Sequence, residues 1–92
     1  MDDSTDAGPR LADTYGAARE AVLSAGRRSG AEATAFPHPA PGRLGEDLAI
    51  DVLTIGPVDA ESVLVVVSGT HGVEGYAGSA LQRWWLDERS AA

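Results

Sequence analysis

Residues 62–68, Ser-Val-Leu-Val-Val-Val-Ser, constrain the fold of this 92-residue chain more than any other stretch. Successive side chains of a strand point to opposite faces, so this run is apolar on both. Such a strand belongs in the centre of a sheet covered by helices on both sides, the arrangement of an α/β domain. A glycine-rich connection, residues 69–78, follows it. Residues 77–89 then take a helical pattern, with Ala77, Leu81, Trp84 and Trp85 on one face and Arg83, Asp87, Glu88 and Arg89 towards water.

The upstream half supplies the partners. Residues 1–9 are polar, acidic and punctuated by Gly8-Pro9, which predicts a disordered tail. Leu11, Tyr15, Ala18 and Val22 recur at helical spacing, with Arg19 and Glu20 on the opposite side. Gly26 marks a stop and Arg27-Arg28 the solvated end of a helix. Phe36-Pro37-His38-Pro39 must be extended, because proline fixes its own φ and restricts its predecessor, so residues 31–41 fit an edge strand or a loop. After a turn at residues 42–45, residues 48–55 form a strand with Leu48, Ile50, Val52 and Thr54 on one face, stopped by Gly56-Pro57.

Two strands and two helices cannot cover a central strand on both faces and both edges. A chain of this size buries only about 60–65% of its surface even when complete. We therefore expect residues 10–92 to be the opening portion of a larger α/β domain.

Composition narrows the function. Fourteen acids against seven arginines and no lysine leave a net charge of -7. No basic face can be drawn, which disfavours nucleic acid and anionic membrane surfaces as partners. The longest apolar run is strand-length, and the acidic start has no secretory character. With no cysteine there is no thiolate metal site and no catalytic thiol. A cytoplasmic location is the expectation.

The chemistry concentrates in Ser68-Gly69-Thr70-His71-Gly72-Val73-Glu74-Gly75-Tyr76-Ala77-Gly78-Ser79. His71 and Glu74 form an H-x-x-E pair beyond the carboxyl end of the apolar strand, where open α/β sheets place their ligands. An imidazole and a carboxylate three residues apart on a tight turn can reach one zinc ion. The same two residues also suit the start of a helix, with His71 as a cap and Glu74 in a first turn that favours a carboxylate. Ser68 and Thr70 could orient metal ligands or satisfy backbone groups at a strand end. Tyr76 could contact substrate or pack under the loop. Asp51 is expected to face outward, and His38 to be a surface or strand-end histidine. The glycines at 69, 72, 75 and 78 match neither G-x-G-x-x-G nor a P-loop, and neither G-x-S-x-G nor H-E-x-x-H occurs.

Residues 64–82 resemble the signature of the bacterial domain-of-unknown-function 2817 family, and the likeness extends over roughly residues 11–86. That family is similar in turn to the zinc carboxypeptidases and to deacylases of the succinylglutamate desuccinylase and aspartoacylase kind. The resemblance implies a three-layer α/β/α, phosphorylase/hydrolase-like domain, with His71 and Glu74 matching the first two zinc ligands. It also implies a third histidine and a catalytic glutamate downstream, for which this sequence has no matching position. The expected function is thus the amino-terminal portion of a zinc-dependent hydrolase of peptide or N-acyl amino acid amide bonds, inactive alone. The alternative is a non-catalytic remnant that associates with itself or a partner through an unpaired sheet edge.

Overall fold

A computed structural model describes residues 10–70 and 75–91, leaving aside the side chains of residues 90 and 91. The expected acidic tail, residues 1–9, and the pair His71 and Glu74 lie outside the described residues. Four elements follow in order: α1 (Tyr15–Arg28), β1 (Glu32–Pro37), β2 (Ala49–Thr54) and α2 (Gly75–Ala91).

α1 begins where Thr14, in extended backbone, accepts the Ala17 N–H on its hydroxyl at 3.1 Å. It ends in a Schellman closure, with the Ala31 N–H on the Gly26 carbonyl at 2.8 Å and the Gly30 N–H on that of Arg27 at 3.1 Å. Gly30 has φ +78°, which a residue with a Cβ rarely adopts. The stop therefore lies at Gly30, not at Gly26 as the sequence suggested. Gly26 is buried inside the helix where Leu53 crosses it, and a Cβ there would sit 2.8 Å from Leu53 Cδ1.

β1 and β2 pair antiparallel in the register Glu32↔Thr54, Ala35↔Asp51 and Pro37↔Ala49. Pro37 closes a strand with a free edge, the position in which a missing N–H disturbs the ladder least. The connection is tied by the His38 N–H on the Leu48 carbonyl at 2.8 Å and turns at Gly45, φ +81°. Alternation along β2 leaves Ala49, Asp51 and Leu53 half-buried and Ile50, Val52 and Thr54 exposed. The half-buried face is the one that meets α1. The Tyr15 hydroxyl donates to the Ala49 carbonyl at 3.2 Å and accepts the Ala49 N–H at 3.0 Å.

This placement corrects the outward reading of Asp51. Arg19 Nε and Nη2 donate to its two carboxylate oxygens at 2.7 and 2.9 Å. That hydrogen bonding raises the Arg19 pKa above its usual value, with burial working against it. Arg19 leaves the polar face its helical spacing assigned because a carboxylate on the facing strand offers a bidentate fit.

The core lies between the helices, where Ala18, Ala25, Ala80 and Leu86 are buried. Alanine on alanine lets the two backbones approach closely. The contact is fastened by the Ser29 hydroxyl on the Leu86 carbonyl at 2.7 Å, and by Arg28 on both Asp87 oxygens at 3.0 and 3.1 Å. The buried face of α2 is rotated from the expected one. Tyr76, Ala80, Arg83 and Asp87 lie towards the packed side, whereas Leu81 and Trp85 are exposed. Small side chains won the interhelical contact, and Trp85 is instead capped by the Arg89 guanidinium, 5.7 Å from its ring.

The largest departure concerns residues 62–68. The expected central strand joins no ladder: the only sheet among the described residues is the two-stranded pair, and Val65 is 74% exposed. Its backbone meets side chains of α2 rather than another strand, so the condition for a buried strand, neighbours on both edges, is not met. The observed class is mixed α/β, with two helices and a two-stranded antiparallel sheet.

Candidate functional site

The apolar run ends against the first turns of α2, and glycines make that approach possible. A Cβ on Gly75 would lie 2.6 Å from Gly69 Cα, and one on Gly78 would lie 2.8 Å from Ser68 Cβ. Gly69 itself has φ +74°, so the chain turns there in a conformation that favours glycine. The positions between Gly69 and Gly75, which include His71 and Glu74, are therefore bracketed by two backbones in contact.

Gln82 locks this arrangement two turns further along α2. Its Nε2 donates to the Val66 carbonyl at 3.0 Å, and its Oε1 accepts the Ser68 hydroxyl at 2.8 Å. Ser68 thus serves to anchor the chain end. Gln82 was not singled out from the sequence, although its place seven residues after Gly75 puts it on the same helix face, which is the signal that could have found it.

The remaining candidates are dispersed. Asp51 is engaged by Arg19. His38 is the exposed strand-end histidine the sequence suggested, with the Ala40 N–H donating to its Nδ1 at 3.0 Å. Thr70 is exposed. Tyr76 is half-buried and lines a cavity between the helices. Among the described residues no group of three or more His, Asp or Glu could hold a metal ion. By donor chemistry, the nitrogen of His71 and the carboxylate of Glu74 both suit zinc. A catalytic zinc takes three protein ligands, one more than this pair could offer.

Among the described residues no helix is long and apolar enough to cross a membrane. No curated protein and no solved structure matches the chain. A family model described as a protein of unknown function, DUF2817, matches residues 11–92, the whole described fold. The chain belongs to the DUF2817 family.

Proposed function

We propose that this chain is the amino-terminal part of a zinc-dependent, carboxypeptidase-like hydrolase in a three-layer α/β/α domain, acting on amide bonds of peptides or N-acyl amino acids. The observation that supports it best is the close approach of Gly69 and Gly75, the described glycines that flank the H-x-x-E pair in sequence, at the junction of an all-apolar segment and a helix. His71 and Glu74 hold the metal. When bound, zinc supplies a Lewis acid for the scissile carbonyl. Gly69 and Gly75 approach closely, and Gln82 fixes the end of the apolar segment. The third ligand and the general base come from outside these 92 residues, so the chain alone is inactive. Net charge of -7 leaves nucleic acid and membranes without an attractive surface, and a cytoplasmic setting fits this reading.

A second reading is a non-catalytic interaction module. The exposure of residues 63–67 favours it, since an unpaired apolar segment offers its backbone to another chain.

Titration of zinc into the isotope-labelled chain tests the first reading. The amide signals of Gly69, Thr70 and Gly75 should shift in the wild type and stay fixed in His71→Ala and Glu74→Ala. Equal shifts in both variants overturn the assignment, and wild-type signals that ignore zinc leave the interaction module as the better account.

A further inference from the structure

Arg83 stands apart from the other arginines of α1 and α2. Arg19, Arg27 and Arg28 pair with Asp51, Glu20 and Asp87, and Arg89 lies over Trp85. Arg83 is half-buried, its Nε is enclosed without a hydrogen-bond partner, and it has no ion pair among the described residues. In a chain with twice as many acids as arginines, a guanidinium left in this state calls for an anion that the described residues do not supply.

Arg83 lines a cavity of about 150 Å³ between the approach to α1 and the first turns of α2. Arg10 lines it too, Tyr76 and Ser79 add hydroxyls, and Leu11, Ala18 and Ala80 contribute apolar wall. One guanidinium fork matches the planar oxygens of one carboxylate, and methyl-lined walls suit a short aliphatic tail. A cavity of about 150 Å³ leaves room for a short-chain carboxylate.

We propose that this interhelical cavity binds a small carboxylate, with Arg83 as the charged anchor and Tyr76 and Ser79 as hydroxyl partners. The proposal does not depend on the zinc reading.

The test is a nuclear magnetic resonance titration of the 92-residue chain with sodium butyrate, using butyramide and sodium chloride at matched ionic strength as controls. Amides of Tyr76, Ser79 and Ala80 should shift saturably with butyrate alone. Arg83→Met should weaken binding by about tenfold or more, the effect of losing a charged hydrogen-bond partner. Ser79→Ala should weaken it less, and Glu88→Gln, on the exposed side of α2, should leave it intact. If Arg83→Met does not fold, Ser79→Ala together with Arg83→Lys, which keeps the charge but loses the fork, carries the test. Equal shifts with chloride or butyramide, undiminished binding in every cavity variant, or no saturable shift would overturn the proposal.

Discussion

Gly75→Ala and Gly16→Ala are the same chemical change with opposite expected outcomes. At Gly75 the new methyl meets the Gly69 backbone, which has no flexible side chain to move aside. Urea denaturation should show a loss of about 1–3 kcal/mol, the usual cost of overpacking. At Gly16 nothing lies within 4 Å, and alanine should stabilise α1 by about 0.5–1 kcal/mol. A gain at Gly75 would contradict its contact with Gly69, and a loss at Gly16 would contradict the open space there. Asp51→Asn should cost about 1–3 kcal/mol in the same assay, because each Arg19 bond is charge-assisted and half-buried. Glu20 behaves differently, being exposed. Hydrogen bonds from Ser24 first and Arg27 second hold its pKa below the usual 4.5. A lowered folded pKa means stability present above that value and lost as pH falls through the folded one. The stability difference between wild type and Glu20→Gln should therefore vanish in acid, and a difference that grew there would reverse the sign. The glycines around His71 and Glu74 were legible in the sequence as permissive positions. Which backbone each one meets was not, since that depends on residues brought together by the fold.

At the scale of elements, periodicity located both helices and the strand at residues 48–55, and the prolines correctly confined residues 32–37 to an edge. What periodicity could not supply was the identity of the covering neighbour. β2 has an apolar face, Ile50 and Val52, and a mixed face, Ala49, Asp51 and Leu53, and α1 covers the mixed one because Tyr15, Arg19 and Gly26 each match a position on it. The face of α2 was misjudged for a related reason, since large apolar residues were assumed to be core while alanines made the close contact. Residues 62–68 read as a central strand on composition alone, yet a strand exists only where another backbone pairs with it. Hydrogen exchange at low protein concentration checks this. Amides of residues 63–67 should exchange almost as fast as in a free chain, apart from any shielded by α2, while the interior of α1 is protected. Uniform protection across residues 63–67 would place them in a sheet.

The fold is thin, 42 × 38 × 19 Å. Residues 63–67, the outer face of β2 and the Leu81 and Trp85 side of α2 all remain exposed apolar surface. Surface of this kind drives association, so sedimentation should show concentration-dependent self-assembly that Val65→Glu reduces. Exposure of Val65 means that variant should keep its fold, and unchanged assembly would move the contact elsewhere. Zinc binding by His71 and Glu74 is tested most directly by the zinc content of the purified chain, measured by plasma mass spectrometry after dialysis without chelator. Far less than one zinc per chain should remain after dialysis, and zinc should return on re-addition only when His71 and Glu74 are both present. One zinc per chain surviving dialysis, or equal uptake in His71→Ala and Glu74→Ala, would contradict it.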